Sequence, residues 1–182
     1  MRKFISSVLE VVEIAAIAIA AVFLIRSFLV QPFLVSGASM SPNFEDGNYL
    51  LVDELTYRVR EPARGEVAVF HYPNDESTYF IKRIVGLPGE RVIIRDGKVF
   101  IITPLRPEGR ELPETYLPDG VTTAGVYDAK LGEDEYFLLG DNRSYSFDSR
   151  SWGPLKKDEI VGVARLRLWP LKNITLFAAP QY

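Results

Sequence analysis

The run from Val11 to Val30, VVEIAAIAIAAVFLIRSFLV, constrains this chain most, because seventeen of its twenty residues are apolar. Twenty helical residues extend about 30 Å, the thickness of a bilayer's hydrocarbon core. Glu13 and Arg26 lie toward its two ends, where long charged side chains can reach headgroups. The run therefore reads as an uncleaved anchor within residues 1–30, with the lipid bilayer as a partner. A cleavable signal peptide is one alternative, since Ala16-Ile17-Ala18 and Ala18-Ile19-Ala20 resemble cleavage sites. Both lie inside the apolar run rather than after it. A buried core helix is the other, but no later segment looks able to cover so uniform a surface. Arg2 and Lys3 precede the run, and no Lys or Arg stands between Gln31 and Arg58. The charge bias puts the N-terminus in the cytoplasm and residues 31–182 outside the cytoplasmic membrane.

Beyond Pro32 the pattern is that of strands. Short β-branched and aromatic runs recur between turn residues: Tyr49–Val52, Glu66–Tyr72, Tyr79–Val85, Arg91–Arg95, Lys98–Ile102, Tyr136–Leu139 and Ile160–Leu168. Asp96-Gly97 tolerates the positive φ angles of a tight hairpin and joins two of them. The expected fold is mainly β, an antiparallel coiled sheet or barrel-like domain preceded by one transmembrane helix. Residues 103–130 hold four prolines and three glycines and read as a surface excursion.

Composition closes several routes. There are no cysteines, so thiolate metal sites and cysteine nucleophiles drop out. A net charge of −3 gives no footprint for nucleic acid. The one histidine, His71, sits before Pro73 at the end of a strand run and reads as a structural residue. Zinc usually takes several His or Cys ligands, so no metal and no cofactor are expected. Hydrolytic chemistry would have to find its base among Lys, Asp and Glu.

Three polar, Gly-rich stretches offer candidates. Val35-Ser36-Gly37-Ala38-Ser39-Met40-Ser41-Pro42 puts Ser39 nine residues beyond the apolar run. An extended chain of nine residues reaches at most about 30 Å, so Ser39 lies near the membrane surface. A flexible linker is the competing reading, though Val35, Met40 and Phe44 make it rather apolar. In Tyr79-Phe80-Ile81-Lys82-Arg83-Ile84, strand alternation puts Lys82 on a face with Phe80 and Ile84. Burial there would lower the pKa of the amine and make it a base; a lysine snorkelling at a sheet edge is the alternative. Gly140-Asp141-Asn142-Arg143-Ser144-Tyr145-Ser146-Phe147-Asp148-Ser149-Arg150-Ser151-Trp152-Gly153 is dense in Asp, Arg and Ser, as a fixed hydrogen-bond network would be.

Together these stretches resemble the successive motifs of bacterial type I signal peptidases. An anchor is followed by Ser-Met-x-Pro, Lys-Arg-x-x-Gly-x-Pro-Gly, Gly-Asp-Asn-Arg and Asp-Ser-Arg-x-Trp-Gly, in that order. The short length and single anchor resemble the Gram-positive style of member. The resemblance implies a serine endopeptidase with Ser39 as nucleophile and Lys82 as general base. It implies Ser146 as the hydroxyl that bonds the lysine, and Asp148 with Arg150 as the pair that buttresses their loop. Substrates would be signal-peptide-bearing preproteins, with the secretion machinery as a further partner. Small residues are expected at positions −1 and −3, with Val35, Met40, Phe80 and Ile81 around shallow pockets. Some members carry a serine two residues before the nucleophile, as an oxyanion donor. Here that position is Gly37, which leaves the Ser39 N–H and a second donor, a backbone group or Ser36. Two alternatives are a self-cleaving repressor-type peptidase, which would carry a DNA-binding segment in place of the anchor, and a non-enzymatic, membrane-tethered β binding module.

Overall fold

The computed structural model describes residues 9–20, 30–180 and 182. Residues 9–20 are helical (α1), and their side chains, including Leu9, Val11, Val12, Ile14, Ile17 and Ile19, are exposed. The expected anchor runs on to residue 30, and its part at 21–29 lies outside the described residues. Among the described residues, no helix is long and apolar enough to cross a membrane.

The rest is mainly β, and every strand pairing is antiparallel. In chain order the strands are β1 Val30–Leu34, β2 Tyr49–Asp53, β3 Val67–Tyr72, β4 Asp75–Gly86, β5 Arg91–Arg95 and β6 Lys98–Thr103. They continue as β7 Arg106–Glu111, β8 Tyr127–Lys130, β9 Glu135–Leu139, β10 Leu155–Lys156, β11 Ile160–Trp169 and β12 Thr175–Leu176. Single helical turns occur at α2 (Thr56–Val59) and α3 (Ser149–Trp152). An eight-stranded sheet runs β1-β2-β11-β3-β4-β9-β10, with β12 on β11, and a four-stranded sheet runs β7-β6-β5-β8.

The seven strand runs read from the sequence all fall on strands. Asp96 (φ 52°) and Gly97 (φ 77°) turn β5 into β6 as their side chains allow. The stretch 103–130 is more than an excursion. It supplies β7 and β8, the two outer strands of the small sheet. Val92, Ile94, Val99, Ile101 and Leu112 pack that sheet against Val85, Phe137 and Leu139 of the larger one.

Two more apolar clusters flank the large sheet. Val35, Met40, Phe44, Leu50, Val67 and Ala164 form one, joined at its border by Ile81 and Phe177. Ala68, Phe70, Ile84, Tyr136, Leu138 and Leu155 form the other, with Phe80 at its border. Lys82 sits between Ile81 and Arg83 on β4, so consecutive residues feed opposite clusters, as a pleated strand requires.

Candidate active site

β4 changes partners at Lys82. The β3 ladder runs along it through Ala68↔Lys82 and Val67↔Arg83. The β9 ladder begins one residue later, at Arg83↔Leu139. The chain leaves β9 at Gly140, directly beside Lys82, and the polar loop 140–148 crosses there.

That loop also holds the Ser39 segment. The Asn142 N–H donates to the Ser39 carbonyl (3.0 Å), and Asn142 Nδ2 donates to the Ala38 carbonyl (3.0 Å). Met40, only 1% exposed, drives the segment into the core. Gly140 permits the close approach. A Cβ at that position would lie 2.5 Å from the Ser39 carbonyl oxygen and 2.1 Å from Ser146 Oγ.

The consequence is a Ser–Lys contact between residues 43 apart in sequence: Lys82 Nζ donates to Ser39 Oγ at 2.9 Å. A second bond runs from Nζ to the Ile81 carbonyl, also 2.9 Å, and the amine stands 5.2 Å from the centre of the Phe80 ring. Lys82 is 4% exposed. Burial draws its pKa down from 10.5 to about 8, against the pull of the Asp148 and Asp141 carboxylates. An amine in this state is neutral in an appreciable fraction near pH 8, and it faces a hydroxyl. Chemically, the pair can remove a proton from Ser39 Oγ.

His71 lies elsewhere. Its Nδ1 is 2.6 Å from the Glu76 carbonyl oxygen, and its ring packs against Tyr79, within the β3–β4 hairpin.

Ser146 differs from expectation. Its Oγ is buried and, among the described residues, has no hydrogen-bond partner, the expected Lys82 included. Packing against Gly140 holds the hydroxyl, while the amine is taken up by Ser39 and the Ile81 carbonyl. Asp148 and Arg150 do form a pair. Arg150 donates from Nε and Nη2 to the two Asp148 oxygens, each at 2.8 Å, and from Nη2 to the Arg143 carbonyl at 2.8 Å. Asp148 also accepts from the Gly140 N–H (3.0 Å), which fixes the glycine under Ser39.

A cleft of about 320 Å³ opens beside the dyad. Val35, Phe80 and Ile81 line it, together with Phe33, Tyr79 and Phe147. Met40 does not: it is sealed in the core, and its sulfur accepts from the Asp141 N–H at 3.4 Å. Its place is beneath the nucleophile rather than in a substrate pocket.

Sequence reasoning assigned no role to Arg83 or Asp141. Arg83 donates from Nε and Nη2 to Asp141 at 2.8 and 2.5 Å, and from Nη1 to the Gly65 carbonyl at 2.8 Å. Asn43 Nδ2 adds a bond to Asp141 at 2.9 Å. Arg143, whose side chain is fully buried, grips Glu114 with both terminal nitrogens and so ties residues 103–130 to the loop. Strand alternation at β4 was the available signal: if Lys82 faces one way, the adjacent Arg83 is turned to the opposite side and needs a buried acid.

The Gly37 N–H donates to Asp46 Oδ1 (2.8 Å), and this glycine takes φ 90°. The Ser39 N–H donates to no protein acceptor among the described residues. It remains available beside its own hydroxyl.

Comparison with known proteins bears on this arrangement. The family described as "Signal peptidase, peptidase S26" matches residues 8–169. A Synechocystis protein named "Probable signal peptidase I-2" is 35% identical over 150 residues, which cover 78% of this chain and 64% of that protein. The chain thus spans under two thirds of that relative. Signal peptidase I V of Bacillus subtilis is 34% identical over 142 residues, covering 71% of this chain and 80% of that protein. Among solved structures, a signal peptidase I from Enterococcus faecalis is 29% identical with a TM-score of 0.48, covering 58% of this chain and 97% of that one.

Proposed function

The chain belongs to the signal peptidase family, peptidase S26, and from that premise we propose that it is a Ser–Lys endopeptidase removing signal peptides from exported preproteins. The observation that carries this reading is the 2.9 Å contact between a buried lysine amine and the hydroxyl of Ser39 at the edge of a cleft. Neutral Lys82 takes the proton of Ser39 Oγ as the oxygen attacks the scissile carbonyl. The developing oxyanion accepts from the Ser39 N–H and one further donor. Lys82 then protonates the leaving amine, and later activates the water that hydrolyses the acyl-enzyme. Ser146 packs a buried hydroxyl against Gly140 beside the Ser39 segment, and Asp148 with Arg150 holds the loop that carries it.

The substrate is an extended segment whose side chains alternate between opposite sides, as in strand addition. Val35, Phe80 and Ile81 wall pockets that accept small residues at −1 and −3. The enzyme works at the outer face of the cytoplasmic membrane. Two observations support a bilayer contact. The helix at 9–20 exposes apolar side chains, and Trp169, Leu171, Ile174 and Leu176 are exposed around β11 and β12, in the sheet that begins at β1.

The test is incubation of the purified full chain with a preprotein, comparing wild type with Ser39→Ala. Cleavage between signal and mature regions by wild type alone is expected. Equal processing by both proteins, or none by a folded wild type, removes the peptidase reading and leaves a tethered β module.

A further inference from the structure

Residues 177–180 and Tyr182 lie behind the cleft and touch both supports of the dyad. On the Ser39 side, the Phe177 ring packs at a tilt on Phe44 with ring centres 4.3 Å apart, and its N–H donates to the Arg165 carbonyl (2.8 Å). Phe44 donates its N–H to the carbonyl of Met40, the neighbour of Ser39 (2.9 Å). Ile81, whose own carbonyl holds the Lys82 amine, borders the same cluster. On the Arg83 side, Pro180 and Tyr182 press on Gly65. A Cβ there would meet Pro180 Cδ at 2.6 Å and the Tyr182 ring at 2.9 Å. Gly65 in turn gives its carbonyl to Arg83, which also lies over the Tyr116 ring at 4.1 Å. Between these two grips the segment roofs a cavity of about 150 Å³ lined by Phe44, Arg83 and Tyr116.

We propose that residues 177–180, with Tyr182, are a strap that sets the separation of Ser39 and Lys82, with Phe177 as its main positioning residue. The family match ends at residue 169, so the strap lies outside the matched region. Serine and lysine stand on different elements, and the residues next to each feed one cluster that Phe177 completes. Without the strap, water enters the roofed cavity, the cluster loses a wall, and the 2.9 Å contact is no longer fixed from behind. A shift of about 1 Å in a catalytic pair lowers the rate by about a hundredfold. The cleft itself has no strap residue in its lining, so substrate affinity is untouched.

The inference rests on the Ser–Lys reading for its kinetic arm only. The experiment uses the full chain in detergent, a chain ending at Leu176, and the substitutions Phe177→Ala and Phe177→Leu. Three quantities are measured: kcat and KM on a signal-peptide substrate, the pH midpoint for acetylation of the Lys82 amine read by mass spectrometry, and the melting temperature. The shortened chain and Phe177→Ala should lose about ten- to a hundredfold in kcat, with KM within about twofold. Their acetylation midpoint should rise from about 8 toward 10.5 as the amine gains water. Phe177→Leu, which keeps the apolar fill, should restore both. The charged groups acting on the amine are Asp148 and Asp141, already paired with Arg150 and Arg83. Tyr182, the strap's titratable residue, interacts with Tyr116, Arg83, Glu114 and Arg64 rather than with the amine. A moved midpoint therefore reports lost burial. A lower melting temperature with kcat and midpoint unchanged overturns the strap. If the shortened chain does not fold, Phe177→Ala decides by the same two readouts. A wild type that cleaves nothing counts against the peptidase, while the acetylation arm still tests the strap.

Discussion

Lys82 reaches Ser39 Oγ without touching a carboxylate: its two hydrogen bonds go to that hydroxyl and to the Ile81 carbonyl. Among the described residues no anion lies within bonding distance of the amine, and burial works to remove its proton. Cleavage at limiting substrate should therefore rise with pH along an acid limb with a midpoint near 8. Ser39→Ala and Lys82→Ala should each abolish it, and the double variant should be no worse. Lys82→Arg should stay inactive, because guanidinium keeps its proton. His71→Ala should stay active. Peptide-cleavage assays across pH 6–10 check all of these, and robust turnover by Lys82→Ala would sink the assignment.

The same burial makes Lys82 a cost to the fold. Its charged form is disfavoured in the native state, so between pH 8 and 10.5 the unfolded chain binds more protons and stability rises with pH. The penalty is fully present below about pH 8 and gone above 10.5; that gap is worth about 3 kcal/mol. Lys82→Met loses two hydrogen bonds of about 1 kcal/mol each, yet should still be more stable by about 1 kcal/mol at pH 7. By pH 10.5 the penalty is nearly gone, and the variant should instead be less stable by about 2 kcal/mol. Denaturant titrations at the two pH values decide it.

Ser146 and Gly140 should separate chemistry from packing. Ser146 Oγ is buried and unbonded, so Ser146→Ala should leave the melting temperature unchanged or slightly raised. If the hydroxyl helps place the amine, kcat should fall by about one to three powers of ten. Gly140→Ala should inactivate, and adding Ser146→Ala should not rescue it, because the new Cβ would still meet the Ser39 carbonyl. Calorimetry and initial rates on the three variants test both statements.

The Arg83–Asp141 pair is almost wholly removed from water. Arg83→Met leaves a buried carboxylate behind and should destabilise by about 3–5 kcal/mol. The double change Arg83→Met with Asp141→Leu should recover much of that loss. A double variant as unstable as the single one would show that the pair's bonds to Gly65 and Asn43 matter more than its charge balance.

Substrate choice follows from the cleft walls. A preprotein with phenylalanine at −1 should be cleaved at least about tenfold more slowly than one with alanine, the scale of rejection by overpacking. Comparable rates would remove Val35, Phe80 and Ile81 from the −1 and −3 pockets.

Much of this was legible in the sequence, for physical reasons. The strands with regular alternation, such as Val92 and Ile94 against Val99 and Ile101, were readable because half of each is core. β7 was not, since Arg106–Glu111 is an edge strand with hardly a buried side chain. β1 contains Pro32, which discourages a strand reading except at an edge, and an edge is where it lies. Ser39 meets Lys82, and Asp148 meets Arg150, across stretches that the sequence marks as polar and Gly-rich. Met40 and Ser146 show the limit: a motif names a neighbour of the site without saying whether its side chain faces the cleft, the core or another backbone. The Glu114–Arg143 tie could not be read at all, because it depends on how a Pro- and Gly-rich stretch folds back.

The partner change on β4 has a consequence for timing. Ser39 and Lys82 both precede β9 and the loop after it in the order of synthesis. Until Leu139 pairs with Arg83, the loop at Gly140 is not in place beside Ser39 and the Lys82 amine lacks part of its cover. Its pKa then lies closer to the 10.4 of a solvated lysine, and it keeps its proton. The base is thus completed by residues from Leu139 onward, about the last quarter of the sequence, and a chain that has folded only as far as β8 holds both dyad residues without a working pair.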